Sequence, residues 1–430
     1  MIDIKKFMYN LFCYMSAAIF IYDCRSMYSM IWHLGTLPNY VLVISLLGCI
    51  LLASPVINID KFKKLMIVSL IFILYMGVYA IVSINKGLVL WLTLVVLLFL
   101  WQISSIQGKE KIPNILLCYR KLVFIVAVIS LFFWIFGSIL RIIGPSGTVL
   151  SSWGAVGNNL NVVPTFHNLY FETQNFRTGI QALNGLQRNS AIFTEAPMAS
   201  LNFSIALLID FLDDHQGKHS KFIKIILVIA ILSTFSTTGY MFLVFLLFGI
   251  WLNKKHRTAK NLQLVFIPIL FILLIIGIRV LLVEKTSNNF SSASVRFDDF
   301  KVGLSAWKQH ILFGIGIQNY KYLSQLMGSW RSSNLGFSNS LTDILSGGGL
   351  YLTILYLFSF AKGIYTNIIQ KNWKGLIFVV LIIYLFVTTF FTYTLILLYI
   401  LVLFATGNKN INEFGGGEKV NNESNKKLLL

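Results

Sequence analysis

The chain has 430 residues, of which 57% are hydrophobic and only 12% charged. A soluble domain carries about 25% charged residues, so this is a polytopic membrane protein. The net charge of +19 is spread through short loops between apolar runs, which makes it a topology signal and gives no footprint for nucleic acid.

A helix needs about 20 apolar residues to cross a bilayer. Runs of that kind fall at about 7–22, 39–57, 65–83, 88–104, 122–140, 189–212, 222–236, 240–252, 263–284, 341–361, 375–390 and 392–406. The predicted fold is therefore all-α, with about twelve transmembrane helices in a single domain over residues 1–406. Two of the divisions rest on turns: Ser236-Thr-Thr-Gly separates 222–236 from 240–252, and Thr388-Thr-Phe-Phe-Thr separates 375–390 from 392–406. With the N-terminus inside, the lysine clusters at 5–6, 61–64, 218–224, 254–260 and 362–374 all fall on the cytoplasmic side, as the positive-inside rule requires. Among the short outer turns only Arg25 and Lys86 break the pattern. Both termini are then cytoplasmic, and the Asn-, Gly- and Lys-rich stretch 407–430 reads as a disordered tail. The N-terminal Met-Ile-Asp-Ile-Lys-Lys leads straight into the first apolar run with no small-residue cleavage site. Cys13, Cys24, Cys49 and Cys118 show no paired spacing, so neither a disulfide framework nor a zinc site is expected.

Two long loops, about 141–188 and 285–340, fall on the outer face. Loops of this length in so apolar a chain are functional or disordered, and these carry aromatics and arginines. In the second, Phe297, Phe300, Leu304, Trp307 and Ile311 recur at helical spacing, with Arg296, Asp299 and Lys308 opposite. This is an amphipathic helix suited to the membrane surface, with Ser294 as N-cap and Asp298 and Asp299 in its first turn.

Where the first loop re-enters the membrane stands Arg188-Asn-Ser-Ala-Ile-Phe-Thr-Glu195-Ala-Pro. On a helix Arg188 and Glu195 would share a face. An intramembrane carboxylate is costly unless paired or facing a wet cavity, so Glu195 is a functional candidate, as a base beside an anion-binding arginine. Set against this is a snorkelling Arg188 in a structural ion pair. Arg296, Arg177 and Arg331 are further outer-face guanidinium groups, a type suited to phosphate, although a lone arginine is more often a solvated charge. At the outer end of the tenth span Asn339 can cap the helix and Asp343 lies one turn further in. Gly347-Gly-Gly follows, explained by close packing or by backbone approaching a ligand. Gly314-Ile-Gly316 lacks the following lysine of a phosphate loop and reads as a turn. Asp210 marks the cytoplasmic end of the sixth span. No metal-ligand cluster and no cofactor motif is present.

The order of four features resembles the bacterial polysaccharide polymerase and O-antigen ligase superfamily: Arg188 through Glu195-Ala-Pro; Ser236-Thr-Thr-Gly; Arg296 with its amphipathic helix, Trp307 and Phe313-Gly-Ile-Gly316; and Ser338-Asn-Ser-Leu-Thr-Asp-Ile-Leu-Ser-Gly-Gly-Gly. The resemblance implies a metal-independent glycosyltransferase of the bacterial cytoplasmic membrane. It would join polyprenyl-diphosphate-linked oligosaccharides at the outer face, with a flippase and a chain-length regulator as partners besides the lipid bilayer. It assigns diphosphate binding to Arg188 and Arg296. Glu195 is the first choice for the base and Asp343 the second. Arg177, Asn339, Trp307 and Tyr170 are further residues expected to meet diphosphate or glycan, with Trp153 and Trp330 also available to stack on sugars. Ligases of the superfamily carry His-Asn where this chain has Ser338-Asn339, which favours a polymerase. A ligase and a lipid-linked oligosaccharide flippase remain the alternatives.

Overall fold

The computed structural model describes residues 4–32, 34–53, 59–106, 112–156, 159–175, 185–213, 218–253, 292–331 and 337–407. The predicted span at 263–284, Arg177 and the tail beyond 407 lie outside these. Every other predicted span coincides with a helix: α1 (Ile4–Asp23), α3 (Leu37–Ala53), α4 (Ile59–Val82), α5 (Lys86–Ile106), α6 (Asn114–Phe133), α7 (Ala196–Leu212), α8 (Lys218–Ser233), α9 (Thr237–Asn253), α12 (Ser340–Ile369), α13 (Trp373–Thr388) and α14 (Leu395–Thr406), with the short α2 (Met27–Ile31) after α1. Four segments, Ile59–Val82, Lys86–Ile106, Asn114–Ile139 and Ser340–Ile369, are long and apolar enough to cross a membrane, and shorter apolar helices accompany them.

The bundle is centred on α7 and α14, which are buried along almost their whole length. A helix that is apolar on all sides belongs in such a position. α7 packs on α6, α8, α9 and α13, while α14 packs on α1, α5 and α12. α4 lies at the edge, with Ile67, Ile71 and Leu74 exposed. The turns at 23–26, 233–237 and 389–394, the segment 185–195 and the start of α12 meet at one end, where Thr194 N–H donates to Arg25 O, Asn189 N–H to Ser233 O and Ser340 N–H to Thr389 O. At the opposite end the buried Arg120 donates to Asp210 at 3.0 Å and Asp213 at 2.7 Å, and Lys224 stands 3.7 Å from Asp210. Asp210 therefore joins α6, α7 and α8 as well as marking a helix end.

The first long loop corrects the all-α expectation. It folds as a three-stranded antiparallel sheet, β1 (Gly147–Val156), β2 (Asn159–Phe166) and β3 (Tyr170–Phe171), in the order β1-β2-β3. β1 pairs with β2 from Gly147↔Thr165 to Ser151↔Asn161, and the register then shifts before Val156↔Asn159. The sheet sits on the end of α6, whose last turn widens to a π-helix over Trp134–Ile139. There Phe133, Phe166 and Tyr170 form a buried cluster. Gly137 allows the ring of Phe166 to come close, since a Cβ would lie 2.6 Å from it.

The second loop holds the short α11 (Tyr320–Leu326) and, before it, the predicted helix, α10 (Ser292–Gln309). It begins three residues earlier than expected, so Ser294 is not its cap and Asp298 and Asp299 fall in its second turn. Its expected apolar stripe is the uncovered side: Phe297 is 76% exposed. Val295, Val302 and Ala306 face inward, and Gly303 abuts Thr342. An exposed apolar stripe suits a helix lying in the membrane interface. Asp299, expected on the polar outer face, is buried and pairs with the equally buried Arg331 at 2.6 Å, and Asp298 adds a second contact at 3.2 Å. Burial holds the Asp299 carboxyl above its usual value in spite of Arg331. Arg331 is thus a clamp within the fold.

The two glycine motifs explain one another. α12 is interrupted at Gly349 (φ 58°, ψ −163°). The backbone groups freed there pair with the 311–316 turn: Ile315 N–H donates to Ser346 O and Gly316 N–H to Gly347 O, while Leu350 and Tyr351 donate to Ile311 and Leu312. This satisfies peptide groups that a broken helix would leave unpaired in lipid. Gly314 (φ +67°) has no room for a side chain, because a Cβ would lie 2.6 Å from the Gly347 carbonyl; at Gly349 a Cβ would lie 2.5 Å from Gly314 N.

Candidate active site

Residues 185–195 are not helical, so the expectation that Arg188 and Glu195 share a helix face is corrected. α7 starts at Ala196, with Glu195 in extended conformation as its N-cap residue and Pro197 in the first turn. Pro197 at that place needs no hydrogen bond. The extended segment before it is held by the Ser26↔Phe193 bridge and by Met27 N–H donating to Ile192 O.

Arg188 is fixed by three bonds. Its Nε donates to Thr234 O at 2.9 Å, its Nη1 to Gln174 Oε1 at 3.3 Å, and its backbone N–H to Gln174 O at 3.0 Å. Burial lowers its pKa to about 10; Glu195 pulls the other way, and the charge of Arg296 adds to the lowering. The guanidinium stays charged at neutral pH. It also stands within electrostatic reach of both Glu195 and Arg296, which come from segments a hundred residues apart. The Ser236-Thr-Thr-Gly turn supplies the Thr234 carbonyl from its flank. Gly239 in that motif seats α9 on α7, where a Cβ would lie 2.9 Å from Ile231 and closer still to Ser200 Oγ.

Glu195 has a different partner from the one expected. Its Oε1 accepts from Arg25 Nη1 at 3.3 Å, and the two side chains are 21% and 19% exposed. The Arg25 guanidinium lies over the rings of Trp153, at 4.7 Å, and Phe390, at 4.3 Å. Its charge is also felt at Asp343 and Tyr320. Burial, reinforced by the Asp343 carboxylate, pushes the Tyr320 phenol up, and Arg25 opposes this. Arg25 is the site residue that sequence reasoning missed. The available signal was its breach of the positive-inside pattern.

A cavity of about 680 Å³ opens beside these groups, lined by Trp153, Glu172, Gln174, Arg188 and Thr194 among others. Asp343 is buried in the first turn of α12; its Oδ2 and the hydroxyl of Tyr393 have no hydrogen-bond partner among the described residues. Asn339 caps α12, its Oδ1 accepting from Thr342 N–H at 2.9 Å, while its Nδ2 has no partner among the described residues. Two expected sugar contacts are not at the cavity. Tyr170 is completely buried, with its hydroxyl bonded to Ser138, so as a core ring it offers no face to a ligand. Trp307 lies at the far end of α10 from Arg296 and donates to Ile311 O.

Fold and site together define a multi-pass membrane protein whose arginines and carboxylates converge at one end of the bundle. Residues 222–357 match the family model described as O-antigen ligase, which supports the resemblance to the polysaccharide polymerase and O-antigen ligase superfamily. The matched stretch contains Arg296, Asn339 and Asp343; Arg25, Arg188 and Glu195 come from outside it. No curated protein matches the chain.

Proposed function

We propose that this protein is a polysaccharide polymerase joining oligosaccharide units carried on polyprenyl diphosphate, at the outer face of a bacterial cytoplasmic membrane. The observation that carries the reading is Arg188 lining a polar cavity, within electrostatic reach of Glu195 and Arg296. In the proposed reaction the acceptor hydroxyl gives its proton to Glu195 and its oxygen attacks the anomeric carbon of the donor. The bond from that carbon to the diphosphate oxygen breaks. The electron pair leaves with polyprenyl diphosphate, whose growing negative charge Arg188 and Arg296 stabilise. Asp343 is the alternative base. Arg188 is held by fixed acceptors, and such preorganisation is what transition-state stabilisation needs.

Polymerase is preferred to ligase because Ser338-Asn339 replaces the ligase His-Asn, and Asn339 is engaged as a helix cap. In a strain lacking the protein, single displayed units should accumulate on the outer face. Arg188→Ala and Arg296→Ala should each fail to restore long polymer while still inserting. Wild-type chain lengths in both variants would overturn the reading. Full-length polymer left on its lipid in the deletion strain would point to the ligase, and units trapped inside to a flippase.

A further inference from the structure

Arg25 is placed with care that its sequence context does not explain. It adopts the left-handed backbone region (φ 52°), where a residue with a side chain is strained and persists only if its surroundings hold it. They do. Its N–H donates to Asp23 O at 2.8 Å, and its carbonyl accepts from Thr194 N–H at 3.0 Å. The guanidinium carbon lies over the rings of Trp153 and Phe390, which hold the side chain in place. Among the described residues only one of its guanidinium N–H groups is used, in the contact with Glu195. Among the described residues the remaining N–H groups have no partner, and the side chain is partly open. Trp153, its stacking partner, lines the cavity.

The pairing with Glu195 is loose. Charge-assisted bonds between nitrogen and oxygen run to about 2.7–2.9 Å, and arginine pairs best through two parallel bonds; this one is single and 3.3 Å long. A phosphate offers more charge and a bidentate edge. We propose that Arg25 is an anion fork held in reserve by Glu195: the diphosphate of the lipid-linked substrate takes the guanidinium, and the carboxylate so released is freed to accept a proton. No covalent bond changes in this exchange; one anion replaces another. The assignment of the anion to a lipid-linked glycan rests on the polymerase reading, whereas the fork and its competition with Glu195 do not.

The test is binding of inorganic diphosphate to the purified full-length protein, by calorimetry. Arg25→Lys keeps the charge but loses the fork, and Arg25→Gln loses both. Each should weaken binding about tenfold or more, the value of a lost charged hydrogen bond. Glu195→Gln should tighten it, because the competing anion is gone. Polyprenyl diphosphate in mixed micelles should displace the inorganic ion from the wild type. Unchanged affinity in the Arg25 variants overturns the proposal. So does weaker binding in Glu195→Gln, which would make the pair purely structural; failure of the lipid to compete overturns the assignment of the anion to the lipid-linked substrate and leaves the fork. If the binding results hold but the deletion strain still makes full-length polymer, the polymerase reading falls and the fork stands.

Discussion

Replacing Gly314 by alanine tests how the second loop is locked to α12. The new Cβ would sit 2.6 Å from the Gly347 carbonyl carbon and oxygen, which are backbone atoms and cannot rotate away. The φ of +67° adds about 1–2 kcal/mol for a residue with a side chain. Overpacking of this kind adds roughly 1–3 kcal/mol. The sum is about 2–5 kcal/mol, and it falls on the bonds that satisfy the break in α12. Gly77 is the control, since nothing lies within 4 Å of its Cβ position; in mid-helix, alanine there should be neutral or stabilising by up to about 1 kcal/mol. The assay is the fraction of detergent-purified protein that stays monodisperse after heating. Gly314→Ala should lose its native fraction well below the wild type, and Gly77→Ala should not. Equal stability of Gly314→Ala and wild type would refute the backbone crossing.

Two further outcomes concern the buried pair on α10. Arg331→Ala should cost about 3–5 kcal/mol by leaving Asp299 buried without its cation, and adding Asp299→Asn should recover much of that, read by the same thermal assay. The folded state holds the Asp299 proton more tightly than the unfolded chain does. The stabilisation linked to that proton is therefore complete below pH 3.8, the ordinary value, and is lost as pH rises through the raised folded value. Removing Arg331 raises that value further, so the deficit of Arg331→Ala should narrow as pH is lowered toward 3.8; a deficit independent of pH would contradict this.

The helical bundle was legible in the sequence because twenty-residue apolar runs and lysine placement are strong local signals. The division at Ser236-Thr-Thr-Gly rested on charge bookkeeping, and the structure has a turn there. The sheet was not legible. Its strands expose Leu150, Leu160 and Val162 while burying Ser151 and Thr165, so the usual alternation of apolar inside and polar outside is scrambled. Gly314-Ile-Gly316 and Gly347-Gly-Gly were each visible as a turn or a packing site, but nothing local says that they touch. Arg188 and Glu195 became candidates from the cost of charge near lipid. Arg25 escaped because its meaning lies in distant partners: Glu195 is 170 residues away in the chain, and Phe390 is further still. Tyr170 was misplaced because an aromatic in an outer loop looks the same whether it stacks on a sugar or fills a core.

The polymerase reading is tested most directly by reconstitution. The purified protein, placed in liposomes with a single lipid-linked repeat unit, should yield glycans of increasing length together with free polyprenyl diphosphate, and Arg188→Ala should yield neither. Units that cross the bilayer without being joined, or that pass only to an acceptor other than another lipid-linked unit, would contradict it.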